Sequence, residues 1–328
     1  MGIPFYFVSL IKQHRGIVSR VRVKLQPDVL AIDCNCLIHT YMDNSRPIES
    51  ILEAIEKLKE TCEPRKLLYI GMDGLVPYAK IVQQRYRRFR KPEEQEFDRL
   101  QISPGTPYMK DLATAIRNKF PYAILSDTSE PGEGEHKIFA WLKSTEAHNR
   151  RSICVYGLDA DLILLSLSQT SLCMPRSFWL LRENPSFHDK APGFSTLSIS
   201  ALKDIIGMPI EQYIMMSVMC FGNDFVPNLG MFSLRQGGYE RALRLYGGED
   251  LLTPEGRREF IEKCAKEEFS FYKETIPQRP QPAEKAIWGG DGVHFEIRYN
   301  LHIQDGSQPE DVCDSYWKIV QWTYHYFT

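Results

Sequence analysis

The residues Val29-Leu30-Ala31-Ile32-Asp33 form a short apolar run that ends in an acid. Three further segments repeat this pattern, and the residues between them place apolar side chains at helical spacing; the three segments are residues 67–73, 122–127 and 153–161. Alternation of apolar strands with helices predicts a parallel sheet that is covered on both sides. We therefore predict an α/β fold with a mainly parallel central sheet flanked by helices on both faces.

Acidic side chains stand where the predicted strands end. One such acid is an ordinary N-cap for the helix that follows. In open parallel sheets, however, ligands bind beyond the carboxyl ends of the strands. Four successive strands that all end in acids therefore favour a shared site over four separate caps. The acids in question are Asp33, Asp73, Asp127, Asp159 and Asp161.

A paired-carboxylate segment lies between the third and fourth predicted strands. Glu133 and Glu135 alternate with Gly132 and Gly134 at a predicted helix start. Glycine costs about 1 kcal/mol relative to alanine inside a helix, so these glycines indicate a backbone that passes close to something. The two acids either converge on a cation or complement the dipole of the helix. Asp224, which follows a strongly apolar helix, is likewise either a turn residue or a further ligand.

The number of converging acids favours a metal site. Carboxylates that share a site repel one another unless cations neutralise them. Mg²⁺ and Mn²⁺ are hard ions that bind carboxylate oxygens and water, and a pair of them is a standard device for phosphodiester hydrolysis. We therefore expect two ions of Mg²⁺ or Mn²⁺. The sequence contains neither a G-x-x-x-x-G-K-[ST] loop nor a G-x-G-x-x-G segment after a strand.

A basic run at residues 80–91 follows Asp73 closely, contains six basic residues and has no acid. As a helix it would place four polar residues on one face, where they could hold a phosphate through charge-assisted hydrogen bonds. Such runs are also commonly no more than a solvated surface. The four residues are Lys80, Gln84, Arg87 and Arg88.

Composition limits the classes of function. The chain has 328 residues, 43% of them hydrophobic, and a net charge of −2, so any nucleic-acid binding must come from a local patch. The eight cysteines are scattered without a C-x-x-C pair, as is typical of reduced thiols in an intracellular protein. No apolar run has the length of a membrane span and no signal peptide is evident. We expect a cytoplasmic or nuclear protein with no membrane association.

At these positions the sequence resembles the 5′→3′ exoribonuclease (XRN) family, a branch of the flap-nuclease and PIN-like superfamily. The matching blocks occur in the family's order over nearly the whole chain. They begin with Met1-Gly2-Ile3-Pro4, the run from Asp33 to His39, Asp73-Gly74 and the basic run. They continue with Pro104-Gly105-Thr106-Pro107, the segment from Pro131 to Lys137, the run from Tyr156 to Asp161, and Gly222-Asn223-Asp224-Phe225.

The resemblance implies a role for each matching residue. Seven carboxylates would bind the metal ions: Asp33, Asp73, Glu133, Glu135, Asp159, Asp161 and Asp224. Lys80, Gln84, Arg87 and Arg88 would hold the 5′-monophosphate of a single-stranded RNA, and His39 would stack on its first base. The implied reaction is hydrolysis that releases nucleoside 5′-monophosphates one at a time, by a protein that we expect to be a monomer. No protein partner is indicated.

The resemblance also suggests a division of the chain. We expect a nuclease domain at residues 1–230 and a helical extension at 231–328, with a linker near 273–293 and a tail that resembles the start of the family's second conserved region. Relatives supply from that region a tryptophan that clamps the first base, and Trp317 and Trp322 match other positions. Two alternatives therefore stay open: a structure-specific 5′ DNA flap nuclease and a non-catalytic RNA-binding module.

Overall fold

The computed structural model describes residues 2–89, 98–144, 151–172, 177–183, 193–276, 286–289, 293–302 and 307–328. These residues form two compact units. The first unit contains Gly2 and Ile11–Ile210, and the second contains Ile3–Leu10 and Glu211–Thr328. The sequence-based division at residue 230 stays a prediction. Most of the predicted linker near 273–293 lies outside the described residues, and its first residues end a long helix.

The first unit is built on one mixed sheet. Its described strands are β1 (Val18–Arg20), β2 (Val29–Asp33), β3 (Leu67–Gly71), β4 (Ile124–Ser126), β5 (Ser152–Tyr156), β6 (Ser177–Glu183) and β7 (Phe194–Ser198). They lie in the order β1-β7-β6-β5-β2-β3-β4. The strands from β6 to β4 are parallel, and β7 and β1 are antiparallel additions at one edge.

Helices join these strands and cover the sheet. Those of the first unit are α2 (Cys34–Tyr41), α3 (Pro47–Cys62), α4 (Tyr78–Phe89), α5 (Pro107–Lys119), α6 (Gly134–Lys143), α7 (Asp161–Leu172) and α8 (Ile199–Ile205), with a 3₁₀ helix at Arg99–Ile102; α1 (Tyr6–Gln13) belongs to both units.

The central strands are buried on both faces, as their continuous apolar sequence requires. All five residues of β2 are buried. Leu30 and Ile32 belong to a core cluster that also contains apolar residues of α3 and α5. On the opposite face Tyr69 of β3 lies against Trp141 of α6, with ring centroids 5.2 Å apart. The predicted fold class, a mainly parallel sheet between helices with a helical C-terminal region, is confirmed.

The second unit is helical. Its helices are α9 (Ile210–Cys220), α10 (Gly238–Leu245), α11 (Pro254–Thr275), α12 (Phe295–His302) and α13 (Pro309–Phe327), with 3₁₀ helices at Gly230–Phe232 and Leu234–Gln236. The N-terminal Tyr6 is tied into this unit because its hydroxyl lies 2.7 Å from that of Tyr213, which lies 2.9 Å from that of Tyr239. None of the described helices is both long enough and apolar enough to cross a membrane.

Candidate functional site

The carboxyl end of β2 is joined to the end of β3 by side-chain hydrogen bonds. Asp33 caps α2, and its Oδ1 accepts a hydrogen bond of 3.1 Å from the backbone N–H of Asn35. The side-chain Oδ1 of Asn35 in turn accepts one of 2.9 Å from the backbone N–H of Asp73. The parallel register places Asp33 opposite Gly71. The acids that end two neighbouring strands are thereby held at one edge of the sheet.

The start of α6 approaches the same edge through backbone alone. The N–H of Gly134 donates a hydrogen bond of 2.7 Å to Oδ1 of Asp73. A Cβ atom added to Gly134 would stand 2.8 Å from the carbonyl oxygen of Gly71. The sequence pattern indicated a backbone that passes close to a partner, and the contact of Gly134 is with the end of β3. A cation as the partner of this segment stays a prediction.

This close approach gives a first testable prediction. We expect Gly134→Ala to lower the free energy of unfolding by about 1 to 3 kcal/mol, because the added Cβ collides with a backbone carbonyl oxygen and one segment must move. Gly71→Ala affects the same close approach, because a Cβ atom on Gly71 would stand 2.6 Å from the carbonyl oxygen of Gly134. Urea denaturation should show that the double variant loses less than the sum of the two single variants. Unchanged midpoints would contradict the argument.

A buried ion pair links the acids to the basic helix. Lys80 of α4 and Glu133, the N-cap of α6, are both buried, and Nζ of Lys80 lies 2.8 Å from Oε2 of Glu133. Burial of a lone carboxylate is costly, and a charged partner offsets that cost. The basic run predicted from sequence therefore reaches the acidic site through its first lysine.

Three more acids complete the group in the first unit. Glu135 lies in the first turn of α6 and Asp161 begins α7, and both are buried, whereas Asp159 is partly buried. Burial raises the pKa of Glu135 well above its ordinary value, and the charges of Glu133 and Asp161 raise it further. The site thus gathers six of the seven predicted carboxylates and carries an excess of negative charge.

The same effect acts on the two strand-end acids. Burial, and after it the charge of Asp73, raise the pKa of Asp33 to about 7. Burial also raises the pKa of Asp73, although the hydrogen bond from Gly134 and the charge of Lys80 oppose this. Asp159 contributes to the rise at both residues. Neighbouring carboxylates therefore make Asp33 and Asp73 harder to ionise, which is the condition that a divalent cation would relieve.

The donor set fits hard cations. Within the part of the chain that the structure describes, no three His, Cys, Asp or Glu side chains stand as a ready-made metal-ligand set. Hydrogen bonds from peptide N–H groups and from Lys80 engage several carboxylate oxygens instead. Oε2 of Glu135, however, is buried and finds no hydrogen-bond partner among the described residues. An ionisable oxygen in that situation suits Mg²⁺ or Mn²⁺, which bind oxygen ligands.

One strand-end acid is used differently. Asp127, after β4, forms an ion pair with Arg117 and accepts hydrogen bonds from Ser129. Burial acts to raise the pKa of Asp127, but the Ser129 hydrogen bonds and the Arg117 charge together lower it. Asp127 is therefore a turn residue whose charge is paired with the guanidinium of Arg117.

The remaining predicted residues lie at several places. His39 is exposed on α2, and Gln84 is partly buried on α4. The backbone of Arg87 and Arg88 continues α4, and their side chains lie outside what the structure describes. Asp224 belongs to the second unit and lies in the turn after α9. In that turn, Oδ1 of Asn223 accepts hydrogen bonds from the backbone N–H groups of Phe225 and Val226. The proposed roles of all these residues stay predictions.

Sequence reasoning missed two polar side chains that hold the site together. The thiol of Cys36 donates a hydrogen bond of 2.9 Å to Oδ2 of Asp33 and accepts one of 3.3 Å from the N–H of Leu158. The guanidinium of Arg182, on β6, donates a hydrogen bond of 2.6 Å to the carbonyl oxygen of Leu158, next to Asp159. Cys36 stands three residues after Asp33 in the first turn of α2, so that contact is local in the sequence. The contacts that both residues make with Leu158 join separate segments, which only the sheet order brings together.

Together, the sheet and its acidic edge define an α/β protein of the flap-nuclease fold. The structure matches that of the catalytic core of Rad2 in complex with DNA substrate with a TM-score of 0.52 and 13% identity, over 92% of this chain and 86% of that chain. At this identity the likeness concerns the fold alone. The chain belongs to the family described as the XRN 5′-3′ exonuclease N-terminus, whose sequence model matches residues 1–96 and 91–184.

Curated relatives agree with the family. The chain is 28% identical to 5′-3′ exoribonuclease 1 of Saccharomyces cerevisiae, over 78% of this chain and 21% of that protein. It is 27% identical to 5′-3′ exoribonuclease 2 of Kluyveromyces lactis, over 73% of this chain and 35% of that protein. The chain thus spans about a fifth to a third of the length of these relatives. The family predicted from the sequence is confirmed.

Proposed function

We propose that this chain is a metal-dependent 5′→3′ exoribonuclease that hydrolyses 5′-monophosphorylated, single-stranded RNA to nucleoside 5′-monophosphates. The observation that carries the proposal is the group of six acids at the carboxyl edge of the sheet, within which burial and neighbouring carboxylates raise the pKa values of Asp33, Asp73 and Glu135. Such a group is a poor structural device without cations. The family membership and the names of the relatives supply the reaction class.

Two groups of residues would have different roles in the site: one would bind the metal ions, and the other orients a metal ligand. Asp33, Asp73, Glu133, Glu135, Asp159 and Asp161, with Asp224 as a seventh candidate, would hold two ions of Mg²⁺ or Mn²⁺. When bound, these ions would supply an activated water and neutralise the charge that develops on the leaving oxygen. The N–H of Gly134 and the side chain of Asn35 orient Asp73 through the hydrogen bonds described above. Rigid orientation of this kind is what positions a ligand before substrate arrives.

The basic helix would select the end of the RNA. Lys80, Gln84, Arg87 and Arg88 would bind the 5′-phosphate by charge-assisted hydrogen bonds, and His39 would stack on the first base. Because Lys80 already contacts Glu133, the phosphate-binding face and the acids would act on adjacent parts of one substrate. A site that binds a single 5′-monophosphate would discriminate against capped and triphosphorylated ends.

A nuclease assay with purified chain tests the proposal. We expect Mg²⁺-dependent release of mononucleotides from 5′-monophosphate RNA, and loss of at least about a thousandfold in rate for the Asp159→Ala, Asp161→Ala double variant, because removal of metal ligands costs several kcal/mol of transition-state stabilisation. Asp127→Asn is the matched control, since this strand-end acid pairs with Arg117. It should retain activity.

Three outcomes would contradict the proposal. Mononucleotide release that survives in the double variant would exclude the metal assignment. Equal or faster cleavage of a 5′-flapped DNA would favour the flap-nuclease alternative. RNA binding that persists in chelator, with no turnover when Mg²⁺ is restored, would favour a non-catalytic RNA-binding module.

A further inference from the structure

Lys137 of α6 is a buried lysine whose contacts are made mainly with backbone. The residue is 7% exposed. Nζ donates hydrogen bonds of 2.8 Å to the carbonyl oxygen of Met72 and 2.6 Å to that of Asp127. Met72 directly precedes Asp73 at the end of β3, and Asp127 follows β4. One ammonium group therefore holds the chain segments that leave two neighbouring strands.

Backbone hydrogen bonds also join these two segments directly. The N–H of Gly74 donates a hydrogen bond of 2.8 Å to the carbonyl oxygen of Gly132, and the N–H of Gly132 donates one of 2.8 Å to that of Leu75. A Cβ atom on Gly74 would collide with the carbonyl oxygen of Glu130 and would stand 3.3 Å from Nζ of Lys137. The ammonium thus lies in a narrow seam between the two segments.

The residues that Lys137 contacts are adjacent in the chain to the acidic site. Asp73 follows one of the two carbonyls that Lys137 holds, and its carboxylate accepts the N–H of Gly134 at 2.7 Å. Lys137 itself lies on the first turns of α6, next to the segment that carries Glu133 and Glu135. Hydrogen bonds from a charged donor to buried carbonyls are stronger than neutral ones, so this side chain stabilises the relative position of β3, β4 and α6.

We propose that Lys137 is a positioning residue: its ammonium clamps the segment before Asp73 to the segment after β4, and so keeps Asp73 and Glu135 in the geometry that metal binding needs. The proposal rests on the proposed function in so far as those acids bind a metal ion. Groups that orient metal ligands from outside the ligand set commonly change metal affinity without touching the ion.

The clamp can be tested first without metal. In Lys137→Met, which keeps the apolar stem, hydrogen exchange followed by mass spectrometry of the chelator-treated protein should be about tenfold faster in residues 71–76 and 127–134, because two hydrogen bonds are lost there. Exchange in α3 and α7 should stay unchanged. Lys143→Met, an exposed lysine on the same helix, is the matched control and should alter neither region. Unchanged exchange in the two segments, or a uniform increase throughout the chain, would overturn the proposal.

Metal binding supplies a second readout that a purely structural lysine would not change. Isothermal titration with Mn²⁺ alone, at a temperature where circular dichroism shows both proteins folded, should give about a 10- to 100-fold larger dissociation constant for Lys137→Met than for the wild type. A change below about twofold, smaller than such positioning residues cause, would overturn the positioning role. A wild-type chain that binds no Mn²⁺ would instead count against the proposed function, and the exchange result would still decide whether Lys137 clamps the seam.

Discussion

Asp33→Asn is expected to abolish RNA hydrolysis and, at pH 8, to stabilise the metal-free protein. Burial and the charge of Asp73 raise the pKa of Asp33 to about 7 in the folded chain. The unfolded chain ionises this group near pH 4, so the folded protein holds the proton more tightly and loses stability as pH rises between these values. Above pH 7 the whole cost is present, and a neutral amide removes it.

The expected gain is about 1 to 3 kcal/mol in the free energy of unfolding at pH 8, because the amide also weakens one of the two hydrogen bonds that the carboxylate accepts. Urea denaturation in chelator, from pH 5 to pH 8, should show wild-type stability falling with pH and a flatter profile for Asp33→Asn. Mn²⁺ at pH 8 should stabilise the wild type more than the variant, since only the wild type keeps the full ligand.

Asp28→Asn is the matched control, because Asp28 is also buried but has the opposite pKa shift. Its carboxylate accepts a 2.8 Å hydrogen bond from the N–H of Arg151 and lies 3.3 Å from Nζ of Lys66. The Arg151 hydrogen bond is the main reason that the pKa of Asp28 is lowered. Asp28→Asn should therefore destabilise the protein at pH 8, and the difference should shrink as pH falls. Loss of stability at pH 8 in Asp33→Asn would contradict the electrostatic account.

The central strands were predictable because their sequence is strongly patterned. β2 and β3 begin at the residues where their apolar runs begin. Asp33 is the last residue of β2, and Asp73 lies two residues beyond the end of β3. By contrast, the sequence of residues 169–200, with Pro175, Pro185 and Pro192, indicates a hairpin or loop excursion from the core. Its β6 and β7 do pair with each other, but β6 also extends the sheet from β5 and β7 pairs with β1. Pairing between distant short strands leaves no local signal that a sequence pattern can detect.

The site was predictable in its acids and not in its supporting contacts. Strand ends converge in any parallel sheet, so Asp33 and Asp73 could be placed together from topology alone. The proposed role of Lys137 depends on hydrogen bonds to two backbone carbonyl oxygens. Every residue has a backbone carbonyl, so no residue type in the sequence marks these two partners. Cys36 was interpreted only as a reduced thiol, whereas it donates to Asp33 because burial raises its pKa and keeps it protonated.

Lys80→Met is expected to lower the free energy of unfolding by about 3 to 5 kcal/mol, because it leaves Glu133 buried without the cation that lies 2.8 Å from it. The stability should return when Glu133 is made neutral as well. In the Lys80→Met, Glu133→Gln double variant no buried charge of this pair remains, and replacement of both partners of a buried ion pair is commonly close to neutral. Thermal and urea denaturation of the four proteins in chelator give the coupling energy directly.

An exposed ion pair provides the comparison. Nζ of Lys24 lies 2.7 Å from Oε1 of Glu63, and both side chains are about half exposed, at 59% and 48%. Water already solvates these charges, so Lys24→Met should cost less than about 1 kcal/mol. If Lys80→Met were as mild as Lys24→Met, Glu133 would have to be stabilised by other groups. The buried pair would then not be the link that holds the basic helix to the acids, and the case for Lys80 as a shared residue of the phosphate face and the metal site would fail.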